Sequence, residues 1–176
     1  MAARARLIVV GGPAGAGKTT LAHALARRIG CPAICRDEIK EGMVHATPGF
    51  RPESGDELTL RTLPTFFGVL RLLVENGVTT VAEAAFQDHV WRPNLEPLRE
   101  LADLRVVHCR VPDDVALARQ AQRTAVQPTR RAHADGHPIV PPTTFRRLRL
   151  DVPELEVDTS DGYVPGVDAI VEFINR

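Results

Sequence analysis

Short apolar runs and longer helical patterns take turns along this chain. Leu7-Ile8-Val9-Val10 is a continuous apolar stretch of strand length, as expected for a strand buried on both faces. It predicts strand 1 at about 6–11. An amphipathic helix follows over about 17–29, ended by Gly30 and Pro32. A short strand is predicted at 33–35 and a helix from Asp37 to about His45. Residues 47–55 read as loop from their Pro and Gly content. A long helical pattern covers 56–76, with Pro64 inside it expected to kink or split it. Strand 3 is predicted from Val78 to about Ala84, where Val and Thr are frequent. A helix is expected over 92–103 with Pro93 near its first position. Strand 4 follows from Leu104 to Cys109, then a helix from Pro112 to about Ala125. Residues 126–142 contain four prolines and read as irregular. A short helix at 143–150, strand 5 at 155–157 and a last helix from Val164 to Asn175 complete the pattern. Strands separated by helices imply an α/β domain with right-handed crossovers and a parallel sheet covered on both faces.

Composition narrows the class. A chain of 176 residues with 25% charged and 44% hydrophobic residues fits one soluble globular domain over 1–176. A formal net charge of zero argues against a molecule built for nucleic acid or an anionic membrane. No apolar stretch approaches the roughly 20 residues that span a bilayer. Met1-Ala-Ala-Arg-Ala-Arg runs into the first strand without a signal-peptide core, so a cytoplasmic location is expected. Cys31, Cys35 and Cys109 complete no zinc set in sequence and read as small core residues.

Between strand 1 and helix 1 stands Gly12-Pro13-Ala14-Gly15-Ala16-Gly17-Lys18-Thr19. This is the G-x-x-x-x-G-K-[ST] phosphate-binding loop, in the strand–helix context that makes the match specific. Its glycines let the backbone curl so that several N–H groups meet one anion. The following helix adds its positive dipole end. Lys18 is suited to reach the β- and γ-phosphates, the Thr19 hydroxyl to ligate Mg²⁺, and Thr20 continues the loop into the helix. Lys18 is one of only two lysines against twenty arginines, consistent with a need for a compact point charge.

Ligands of open parallel sheets sit at the carboxyl ends of the strands. That rule gathers Arg36-Asp37, Glu83 to Phe86 and Arg110 around the loop. Asp37 is placed to accept a proton from an attacking hydroxyl; it also suits a helix N-cap. Glu83, at a buried strand end, could hold Mg²⁺ through water, contact substrate, or pair with an arginine such as Arg92. Phe86 and Arg92 stand on the acceptor side. From Arg119 to Arg149 there are seven arginines and one acid, a local charge of about +6. The loop at about 126–142, with Arg130, reads as a lid that closes on phosphates. Arg119 and Arg123, four apart on one face of the preceding helix, point into it, one suited to stack on adenine and the other to contact phosphate. The alternatives are a solvated basic face or a docking site for an acidic partner or RNA.

Together these features resemble P-loop kinases of the nucleoside-monophosphate-kinase type. Within them the chain is similar to the small kinases related to chloramphenicol phosphotransferase, the zeta toxins and the kinase domain of polynucleotide kinase. The resemblance implies a three-layer P-loop NTPase fold with a five-stranded sheet of order 2-3-1-4-5. It also implies ATP and Mg²⁺, Asp37 as base, arginines 119, 123, 130 and 131 as lid candidates, and Asp158 and Thr159, with Ser160, near the adenine. The expected activity is transfer of the γ-phosphate to a hydroxyl of a small molecule, by a monomer or homodimer. Met43, Val44, Phe50, Phe66, Phe67, Phe86 and Trp91 would then suggest a partly apolar acceptor. A polynucleotide 5′-hydroxyl kinase and a non-catalytic, toxin-like or regulatory ATP-binding protein are the alternatives. The acceptor signatures of guanylate, thymidylate and shikimate kinases are missing, as is a strong D-x-x-G switch.

Overall fold

Leu7, Ile8, Val9 and Val10 are fully buried and alternate between two cores. The computed structural model describes residues 4–53, 55–85, 87–126, 132–133 and 145–176. Strand β1 (Arg6–Gly11) sits at the centre of a five-stranded sheet. It pairs in parallel with β3 (Thr80–Glu83) and β4 (Asp103–Arg110). Strand β2 (Ala33–Cys35) lies outside β3, and β5 (Glu154–Asp158) outside β4. The order β2-β3-β1-β4-β5 is the one the resemblance implies.

Because side chains alternate along a strand, β1 feeds two layers. Leu7 and Val9 pack with Phe66, Leu70 and Val74 of α3 (Glu57–Glu75) and with Trp91 and Leu95 of α4 (Asp88–Leu95). Ile8 and Val10 pack with Leu21 and Leu25 of α1 (Lys18–Ile29) and Ile170 and Ile174 of α6 (Val167–Asn175). Helix α2 (Arg36–His45) follows β2 directly, and α5 (Asp113–Val126) follows β4. No helix among the described residues is long and apolar enough to cross a membrane.

Three elements differ from expectation. Helix α3 runs through Pro64 without splitting. An interior proline costs about 3 kcal/mol, but burying Phe66, Leu70 and Val74 returns about 1.5–3 kcal/mol each. Pro64 and Leu60 are both exposed, so the carbonyl that loses its partner is on the water side. The helix expected over 92–103 is two shorter pieces: α4, and a 3₁₀ turn over Glu96–Glu100. Trp91 sets the earlier start. Its buried ring meets Phe66 edge-to-face at 5.8 Å, which draws the residues before Pro93 into the helix. Finally, residues 145–150 form no helix. Leu148 and Leu150 are buried while Arg147 and Arg149 are exposed, the alternation of an extended chain. Residues 143 and 144, and most of the expected lid, lie outside the described residues.

Candidate active site

Three glycines allow the loop between β1 and α1. Gly15 and Gly17 have φ of 81° and 71°, in the left-handed region that other residues enter at a cost. Gly12 and Gly15 are also crowded. A Cβ on Gly12 would come within 2.6 Å of the Cys109 carbonyl oxygen, and one on Gly15 within 2.4 Å of that of Ala116. Strand β4 and helix α5 therefore press directly on the loop.

Four successive loop carbonyls are each held by a side chain. Lys18 Nζ donates to the Pro13 oxygen at 2.9 Å, and Gln120 Nε2 to that of Ala14 at 3.1 Å. Arg119 Nη1 reaches the Gly15 oxygen at 3.5 Å, and the Thr159 hydroxyl donates to that of Ala16 at 2.9 Å. A trans peptide points its N–H opposite its C=O, so pinning the carbonyls turns amides toward the other side, as an anion nest requires. Helix α1 begins at Lys18, with Gly17 at its N-cap position and no side-chain cap. Its first-turn amides have no capping partner and suit a phosphate.

Beside the loop two acids behave differently. Thr19 Oγ1 donates to Glu83 Oε2 at 3.1 Å. Glu83 is 4% exposed. Burial pushes its carboxyl above the usual range, helped by the charge of Asp37 and opposed by Lys18 and the Thr19 hydrogen bond. The Arg92 pairing considered for it is not formed: Arg92 sits on the exposed face of α4, 3.5 Å from Asp88. Asp37 opens α2 and accepts from Arg36 Nη1 at 2.9 Å. Burial would raise its carboxyl, but His133, Arg36 and Lys18 together hold it below the usual range. As a cap it fails, since the N-cap position of α2 is Cys35. The shared influence of Lys18 ties Asp37 and Glu83 to the phosphate loop.

A cavity of about 510 Å³ opens next to Gly17, lined by Thr20, Arg119, Arg123, Thr159 and Tyr163 among others. Its size suits a nucleoside. Arg119 donates to the Thr159 and Ser160 carbonyls at 2.7 and 2.9 Å, which joins the turn after β5 to the phosphate loop. Asp158 does not line this cavity. Its carboxylate accepts from the Ser160 amide at 2.9 Å and from Arg110 at 3.1 Å, so it builds the turn. Arg110 thus serves β5 and not the phosphate loop. Phe86, Arg130 and Arg131 lie outside the described residues. Of the apolar acceptor candidates, Phe66 and Trp91 belong to the core.

Several residues here escaped the sequence reading. Tyr163, the only tyrosine, lines the cavity; an aromatic in a glycine-bearing turn after the last strand was the available signal. Gln120 carries no motif. His133 reaches Glu41 at 3.3 Å, a contact between distant segments that no local pattern announces.

The matching family model, described as an AAA domain, covers residues 7–138. The chain belongs to this AAA-domain family. No curated protein sequence matches it. Solved structures place this AAA-domain protein among P-loop kinase folds. One, from Chloroflexus aurantiacus J-10-fl and provisionally assigned as a kinase, is 24% identical with a TM-score of 0.81, over 97% of this chain and 96% of that one. The Mycobacterium tuberculosis APS kinase, solved with AMPPNP and APS, is 14% identical with a TM-score of 0.70, over 99% and 100%. A sugar kinase from Janibacter sp. HTCC2649 is 20% identical with a TM-score of 0.63, over 97% and 95%. At these identities the likeness is one of fold.

Proposed function

We propose that this protein is an ATP-dependent phosphotransferase that moves the γ-phosphate to a hydroxyl of a small molecule. The observation that carries this reading is a phosphate loop whose carbonyls are held by Lys18, Gln120, Arg119 and Thr159, with Asp37 in the first turn of α2 at the carboxyl end of the same sheet. A nucleotide-binding switch has no need of an acid there; an acceptor alcohol does. The nucleoside would occupy the cavity at Thr20, Arg119 and Tyr163, with Arg123 on its wall. The triphosphate would run along the loop toward Lys18 and α1. The kinase names among the structural neighbours agree with this reading.

Asp37 has one role that its depressed pKa favours. It stays charged at neutral pH and is a weak base, so it acts first by accepting a hydrogen bond from the hydroxyl and aiming it. The proton moves to Asp37 late, as the new P–O bond forms and the alcohol acidifies. That order suits a loose transition state, in which the nucleophile needs positioning more than activation. Lys18 balances charge on the transferring phosphoryl group.

The Thr19 hydroxyl and the buried Glu83 carboxylate form a pair of hard oxygen donors at 3.1 Å, the chemistry that Mg²⁺ selects. Thr19 would hold the ion directly and Glu83 through water. Bound there, Mg²⁺ would neutralise β- and γ-phosphate oxygens. A charge of opposite sign would also relieve the cost of a buried carboxylate.

The decisive experiment is Asp37→Ala with labelled ATP and pools of alcohol acceptors. Transfer is expected to fall by about 10²–10⁴-fold while nucleotide affinity changes little. Equal losses in transfer and affinity would remove Asp37 from the chemistry. Nucleotide binding by the parent chain without transfer to any acceptor would favour the switch reading.

A further inference from the structure

One cluster of donor atoms has no part in phosphate transfer as described above. His23 lies on α1, one turn beyond Thr19. Cys35 closes β2, and Glu38 lies in the first turn of α2. Their side chains converge. His23 Nε2 is 2.7 Å from Glu38 Oε1 and 3.7 Å from Cys35 Sγ. All three donor atoms lie within 4.8 Å of one another. The same ring nitrogen faces both the sulfur and the carboxylate. A single proton on that nitrogen can serve one partner well, not both. A cation at the centre would serve all three.

We propose that His23, Cys35 and Glu38 form a binding site for a borderline divalent transition metal, with Zn²⁺ as the reference ion. The distances fit. Bonds of about 2.3 Å to sulfur and about 2.0–2.1 Å to nitrogen, at a tetrahedral angle, place sulfur and nitrogen about 3.6 Å apart. The structure has 3.7 Å. The nitrogen–oxygen pair would open to about 3.3 Å, which Glu38 achieves by swinging outward from its half-exposed position. Three protein ligands leave one coordination position for water.

The surroundings favour a cation. Cys35 is buried, and the negative charges of Glu83 and Glu38 act on its sulfur. His23 and Glu38 are partly exposed, which gives an ion its way in. The donor set separates this site from the one at Thr19 and Glu83. Thiolate and imidazole select Zn²⁺ and its neighbours, while hydroxyl and carboxylate select Mg²⁺. Sequence reading passed over it because the ligands come from three elements: C-x-x-E is short, and the histidine stands twelve residues earlier. A metal here would staple α1, which carries the phosphate loop, to α2, which carries Asp37.

The test uses the full chain with Co²⁺ as a spectroscopic probe, without nucleotide or acceptor, so it stands or falls independently of the kinase reading. One equivalent of Co²⁺ is expected to give tetrahedral d–d bands and a thiolate-to-metal charge-transfer band. Cys35→Ser should abolish the charge-transfer band, and Cys31→Ser should keep it. His23→Gln, which leaves every thiol in place, should weaken binding at least about 100-fold, the upper end of what outer-shell partners cost. Binding displaces the thiol proton, so affinity should rise with pH. Zn²⁺ should displace Co²⁺, and excess Mg²⁺ should not. Absence of the charge-transfer band overturns the proposal. So does its persistence in Cys35→Ser, or displacement by Mg²⁺. If Cys35→Ser does not fold, unchanged affinity in His23→Gln overturns it alone.

Discussion

Glu83 and Asp37 stand at the carboxyl end of the same sheet and shift in opposite directions. Burial raises Glu83 above the ordinary carboxyl range, whereas basic neighbours outweigh burial at Asp37. The signs have separate consequences. For Glu83 the folded chain holds its proton to higher pH than the unfolded chain does, so the free protein loses stability as pH rises through that window. Glu83→Gln should therefore stabilise the ligand-free protein at neutral pH, by a few degrees in Tm on the order of 2–4 °C per kcal/mol gained. The same variant should raise the Mg²⁺ concentration needed for half-maximal transfer by about 10–100-fold. Thermal scans and Mg²⁺ titrations check the two halves, and a fall in Tm would show that the carboxylate supports the fold. Protonation of Glu83 should set the acid limb of transfer, above the usual carboxyl value. Asp37 should stay ionised there, its own limb lying lower. The motif made Lys18 and Thr19 legible in sequence, and the strand-end rule made Asp37 and Glu83 so. What separates the two acids was not, because it depends on His133 and Arg36 turning toward Asp37 in space and on the deeper burial of Glu83.

At the scale of elements, the joint between α2 and α3 carries a pair that periodicity does not announce. Lys40 Nζ and Asp56 Oδ2 lie 2.9 Å apart, with side chains 3% and 6% exposed. Asp56 also caps α3, accepting from the Thr59 amide at 2.7 Å. Burial works against its charge, but the hydrogen bonds from Lys40, Thr59 and Glu53 lower the carboxyl to about 2. This contribution is present above the unfolded value of 3.8 and is lost as pH falls toward about 2. Asp56→Asn keeps the cap but strands a buried ammonium, and should cost about 3–5 kcal/mol in urea unfolding at neutral pH. A loss under about 1 kcal/mol would mean that Lys40 finds water. The long elements were legible because their apolar periods are strong. Helices α3 and α4 were misjudged at Pro64 and Pro93, where local rules treat proline as a boundary and an aromatic cluster of Phe66, Phe67 and Trp91 overrides it. Residues 145–150 were misread for a different reason: two leucines two apart fit an extended chain better than a helix, and the arginines around them hid it.

For the whole molecule, the proposed ligand should matter to stability as well as to chemistry. A nucleotide that binds only the folded chain adds about 2.7 kcal/mol at a free concentration 100 times its Kd. For a chain of this size that is a rise in Tm of roughly 5–11 °C. Differential scanning fluorimetry with Mg²⁺-ATP should show this in the parent and little of it in Lys18→Ala. An equal shift in both would place the binding elsewhere. The parallel α/β class was legible because helix separates every pair of successive strands, while the strand order came with the resemblance. Gly17, Thr20, Arg119 and Thr159 were legible as nucleotide candidates, but Tyr163, which closes the cavity with them, was not, since it carries no motif and stands far from the loop in sequence.

Arg119 clasps carbonyls at residues 15, 159 and 160, so one guanidinium spans nearly the full length of the polypeptide. The recognition apparatus is therefore not portable. A fragment holding the first strand and helix would keep the glycine-rich hook yet have nothing to clasp it shut, and a chain cut short before its last strand would lose Thr159 and Tyr163 from the wall of the cavity proposed for the nucleoside. Evolution, or an engineer, can revise the acceptor side piecemeal, but this half must be inherited whole.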